Sequence, residues 1–134
     1  MKIAVRYYSK GGNTAHIAAD IAEAAGTEAL PITQALQEPV DLLFLGGAPY
    51  AFHLAKPLRD FIDTKLSPAD VKNVCVFSTS GSPAGASGMI AKKCEAAGLK
   101  VLPQEFHCRG PQADTPEEKE KAQAFARSVI AQFA

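Results

Sequence analysis

The chain has no tryptophan, no excess of either charge, and no apolar run approaching the ~20 residues needed to cross a bilayer. Fourteen basic residues stand against fourteen acidic ones, so no basic field is available to hold a phosphate backbone, and nucleic acid is not an expected partner. Cysteine is scarce and odd in number: Cys75, Cys94 and Cys108, with no Cys-x-x-Cys pair. That argues against a disulfide framework and a cysteine-rich metal site, and it points to a reducing, cytoplasmic compartment. Met1-Lys2-Ile3-Ala4-Val5 enters a strand pattern at once, so neither a signal peptide nor a membrane anchor is expected.

What the chain does have is alternation. Its 134 residues suit one domain, 1–134, large enough to bury roughly two thirds of the surface of the unfolded chain. Residues 2–8 (KIAVRYY) read as a strand, 9–13 (SKGGN) as a glycine-rich turn, and 14–25 as a helix with Ile17 and Ile21 on its stripe and Gly26 as its stop. A short second strand is expected over 28–32, and a helical turn over 33–37. Residues 41–46 (DLLFLG) and 73–78 (NVCVFS) are too short for helices and too uniformly apolar for half-exposed strands, which suits strands covered on both faces.

Each is followed by a loop, 47–56 and 79–88, and then by a helix: 57–64, with Leu58, Phe61 and Ile62 on one face, and one ending near Gly98. A fifth strand over 100–107 contains Pro103, which suits a sheet edge or a bulge. In the last helix Thr115 is the expected cap, Pro116 the first residue and Glu118 the third, while Phe125, Ala126, Val129, Ile130 and Phe133 form its apolar face. Strands alternating with helices predict an α/β fold: a doubly wound five-stranded parallel sheet with strand order 2-1-3-4-5 and a ligand crevice at the strands' carboxyl ends.

The first loop carries the clearest chemistry. Ser9-Lys10-Gly11-Gly12-Asn13-Thr14 leaves a strand and opens a helix, so its N–H groups and hydroxyls converge where an anion is favoured. The spacing is not that of a Walker loop. A plain turn with Asn13 as a helix cap is the simpler alternative. Neither acidic residues after the first and third strands nor a cysteine in the first loop is present, which excludes aspartyl phosphorylation and cysteine-based phosphatase chemistry.

This loop resembles the phosphate-binding loop of flavodoxins, a hydroxyl residue, any residue, a small residue, Gly, any residue, Thr; Ser9, Gly11, Gly12 and Thr14 match it. The resemblance extends over essentially the whole chain. It implies an FMN cofactor with Ala48, Pro49, Tyr50 and Ala51 along one side of the flavin ring, and the Ser78 loop, with Thr79, Ser80, Gly81 and Ser82, along the other. The aromatic rings of Tyr50 and Phe52 can stack on such a heterocycle, with His53 a weaker candidate. His16 and His107 read as structural or exposed, Cys75 and Cys94 as core, and Cys108 beside Arg109 as a thiol near the crevice.

Three departures from the family pattern bear on function. The chain is neutral where low-potential flavodoxins are acidic, Ala51 stands where many carry a flipping glycine, and the third loop lacks an aromatic. The expected function is electron transfer between redox partner proteins, with no catalytic side chain and no metal, as a monomer or dimer. The alternatives are an FMN-dependent NAD(P)H:quinone-type reductase using a small-molecule acceptor, and a non-redox binding module of the same shape.

Overall fold

In the computed structural model, which describes residues 1–81 and 85–133, the chain runs β1 (Ile3–Tyr7), α1 (Asn13–Ala25), β2 (Ala29–Pro31), β3 (Leu42–Gly47), β4 (Pro49–Tyr50), β5 (His53–Leu54) and α2 (Lys56–Lys65). It continues through β6 (Val74–Ser80), α3 (Ser87–Ala96), β7 (Val101–Arg109), a 3₁₀ turn (Gly110–Gln112) and α4 (Pro116–Ala131). β1, β2, β3, β6 and β7 form one all-parallel sheet in the order β2-β1-β3-β6-β7, which is 2-1-3-4-5 in the sheet's own count.

The apolar runs explain the centre of the sheet. β3 and β6 are buried at every position because helices cover both faces. On one face Val5, Leu42, Phe44, Cys75 and Phe77 meet Ile17 and Ile21 of α1 and Ala122, Ala126 and Val129 of α4. On the other, Leu43, Leu45, Val74 and Val76 meet Leu58, Phe61 and Ile62 of α2 and Ile90 and Cys94 of α3. Each large side chain so buried contributes about 1.5–3 kcal/mol relative to exposure. The pattern expected for α4 is shifted: Ala122, Ala126 and Val129 face inward, and Phe133 is exposed.

Several local features differ from expectation. Residues 33–37 form no helical turn; a single Gln34 N–H···O=C Pro31 bond of 2.9 Å closes a tight bend there. What holds this connection is Arg6, only 6% exposed, whose guanidinium donates to the carbonyls of Gln34 (2.7 Å), Ala35 (3.3 Å) and Val5 (3.1 Å). β6 runs through Thr79 and Ser80, and β7 through Cys108 and Arg109, because the two strands continue to pair past their apolar segments. Pro103 lies on the outermost strand, opposite a register slip between Val74 and Val76. Both places tolerate a missing donor.

The loop after β3 contains an unexpected hairpin. β4 and β5 pair antiparallel, Tyr50 opposite His53, around the two-residue turn Ala51-Phe52. Both turn residues have positive φ, 51° and 66°. That is the hand of a type I′ turn, which normally selects Asn-Gly, and each non-glycine residue there costs on the order of 1–2 kcal/mol.

Candidate functional site

A crevice of ≈ 320 Å³ opens at the carboxyl ends of β1, β3 and β6. β1 has β2 on one side and β3 on the other, so the chain winds away from this point in opposite directions, leaving room for a ligand.

The wall from the first loop consists of Ser9, Gly11, Asn13 and Thr14. Ser9 Oγ accepts from Gly12 N–H at 3.0 Å, curling the loop so that α1 begins at the crevice. Gly12, not Asn13, is the helix cap, at φ +91°, a conformation that suits glycine. Among the described residues no side chain caps α1, and its first turn has no acidic residue. The orphan N–H groups of that turn, with the positive end of the helix dipole, are of the kind that suits an anion. Thr14 Oγ1 shares a 2.8 Å hydrogen bond with Thr79 Oγ1, tying the start of α1 to the end of β6.

The second wall is Ala48, Pro49 and Tyr50. Lys10 N–H donates to Tyr50 Oη at 3.2 Å, and Lys10 Nζ stands 5.0 Å from the ring centroid. Tyr8 meets the same ring edge-on, at 6.0 Å and 86°. Lys10 therefore sits at the rim, fixing Tyr50. Ala51 and Phe52 do not line the crevice: they form the hairpin tip, and Phe52 is 91% exposed. His53 faces a separate hollow.

Thr79, Ser80 and Gly81 form the third wall. Ser80 Oγ lies 2.8 Å from His107 Nε2, and Arg109 donates to the Gly81 carbonyl at 3.3 Å, so β7 braces this wall from behind. His107 thus has a structural partner, whereas His16 lies on the surface, 3.7 Å from Asp114. Ser78 points away from the crevice; its Oγ bonds Ser87 Oγ at 3.0 Å and accepts from Ala86 N–H at 3.3 Å, anchoring α3. Ser82 lies outside the described residues.

Gly110 and Pro111 add a fourth side that the sequence reading missed. A Cβ at Gly110 would stand 2.7 Å from Asn13 Nδ2, so a larger residue there would have to push the Asn13 side chain aside for the turn after β7 to close against the first loop. Cys108 carries no chemistry here: it is 4% exposed, and burial pushes its thiol up to about 11. Among the described residues Tyr50 is the one aromatic side chain lining the crevice, and no group of three His, Cys, Asp or Glu could hold a metal. No described helix is long and apolar enough to cross a membrane.

No protein-family model and no curated protein matches the sequence. Solved structures do. The chain is similar to a flavodoxin from the domain Archaea, at 16% identity and TM-score 0.79 over 98% of both chains. It is similar to flavodoxin 2 from Bacillus cereus, at 21% identity and TM-score 0.78 over 98% of this chain and 99% of that one. A short-chain flavodoxin associated with a PDU bacterial microcompartment matches at 15% identity and TM-score 0.74, with 100% of each chain covered. The chain therefore has the short-chain flavodoxin-like fold.

Proposed function

We propose that this chain, as a single domain, binds FMN in the crevice and carries electrons between redox partner proteins. The observation that carries the reading is the uncapped start of α1, which opens into the same crevice as Tyr50 and the Thr79-Ser80-Gly81 wall. A dianionic phosphate suits the first, and a planar heterocycle suits the space between the other two.

In this reading Ser9, Gly11, Asn13 and Thr14 hold the phosphate, with Gly12 setting the loop's curl and Lys10 supplying charge at the rim. Ala48, Pro49 and Tyr50 flank one side of the ring; Thr79, Ser80 and Gly81 flank the other. Ala51, Phe52 and Ser78 support these walls rather than touch the ring. When bound, the flavin supplies the reversible uptake of electrons; the chain's residues bind it, orient it and set how readily it is reduced. N–H groups of the third wall are suited to hydrogen-bond the polar edge of the ring and favour negative charge there.

One observation supports a second reading, an FMN-dependent NAD(P)H:quinone-type reductase: the third wall has no aromatic among its described residues, leaving that side open to a small molecule. The test is FMN titration followed by turnover. A bound flavin with electron delivery to carrier proteins but no nicotinamide-driven quinone reduction supports the carrier; rapid quinone reduction supports the enzyme. Absence of FMN binding removes both and leaves a non-redox module.

A further inference from the structure

The β4–β5 hairpin borders two hollows. Pro49 and Tyr50 line the crevice. His53 and Leu54, on the paired strand, line a larger hollow of ≈ 660 Å³ completed by Arg59 of α2 and by Met89, Lys92, Lys93 and Ala96 of α3. The α3 residues recur at i, i+3, i+4 and i+7, so they form one helix face.

This hollow has an apolar floor and a basic rim, and among the described residues no carboxylate lines it. Lys93 is paired with Asp63 at 2.9 Å, and nearby Lys56 is paired with Asp60. Among the described residues Arg59 and Lys92 make no ion pair. A chain with zero net charge thus keeps two unmatched cations and an imidazole around one apolar hollow.

The tip of the same hairpin is Phe52, in the left-handed region and 91% exposed. Its ring gains nothing from burial, and its backbone conformation is unfavourable for a bulky residue. An exposed ring at the tip of a hairpin is available to a partner's surface.

We propose that the hairpin tip and this hollow form a docking surface for an acidic protein that presents carboxylates around an apolar socket. Phe52 enters the socket, while Arg59 and Lys92 meet the carboxylates; His53 and Lys93 complete the rim. The partner is then seated beside Tyr50. That such a partner exchanges electrons with the crevice rests on the FMN reading; the docking itself does not.

The test is an NMR titration of the ¹⁵N-labelled chain, as purified, with a plant-type [2Fe–2S] ferredoxin of net negative charge and, separately, with a cytochrome c of net positive charge. The expected result is selective binding of the ferredoxin, weakened by salt, with shifts at Phe52 to Leu54, Arg59 and Lys92. Arg59→Glu with Lys92→Glu is expected to weaken binding at least about tenfold. Phe52→Asn, which suits the turn better, is expected to weaken it about tenfold while raising thermal stability, so unfolding cannot account for the loss. Equal or preferential binding of the cytochrome, no ferredoxin binding at low salt, or variants that bind as before would each overturn the proposal. FMN affinity of the unmodified chain, measured alongside, separates the two readings: docking without FMN binding defeats the flavin assignment alone, and FMN binding without docking defeats the surface alone.

Discussion

Burial holds the three thiols neutral, pushing Cys75 and Cys94 up to about 12 and Cys108 up to about 11 from an ordinary value of 9.0. The folded chain therefore keeps protons that the unfolded chain releases. This contribution to stability is complete below pH 9 and is lost as pH rises through 11 to 12. Urea midpoints are expected to fall steeply above pH 9, less steeply in Cys94→Ala, and Ellman's reagent is expected to find no reactive thiol near neutral pH until the chain unfolds. Cys75 and Cys94 were legible as core from their apolar neighbours; Cys108 was not, because its burial depends on where β7 ends. Arg6 was also illegible: a charge inside a strand pattern gives no sign that three carbonyls surround it. The Thr14–Thr79 hydrogen bond spans 65 positions. Thr79→Val strands a buried hydroxyl and is expected to cost about 1–3 kcal/mol, read as a lower urea midpoint, and to weaken FMN binding.

The best-marked element in the sequence was α4, because its start is local chemistry. Thr115 Oγ1 does accept from Glu118 N–H, at 3.3 Å, with Pro116 opening the helix. The β4–β5 hairpin was invisible for the opposite reason. Ala-Phe carries no turn signature, and the strands it joins are two residues each. Its geometry gives a direct prediction: Ala51→Gly removes the Cβ penalty at φ +51° and should stabilise the chain by about 0.4–1 kcal/mol, measured as a rise in the urea midpoint. A loss of stability would mean that the turn does not hold positive φ in solution.

Sheet order was readable because a doubly wound sheet needs apolar runs at its centre, and residues 42–47 and 74–77 supply them. The site was readable in part. Three walls follow from the rule that loops after parallel strands converge, but the fourth, Gly110 and Pro111, depended on β7 running two residues further than its apolar pattern. Ser78 and Phe52 lie in the right segments yet face elsewhere, since side-chain direction at a strand end is set by tertiary packing that local sequence does not encode. The central claim is that the start of α1 holds the phosphate of a flavin. The most direct test is to titrate the flavin-free chain with FMN and with riboflavin under the same conditions. The account predicts that FMN binds at least about tenfold more tightly, the return from even one charge-assisted hydrogen bond to phosphate. Equal affinity for the two flavins would contradict it.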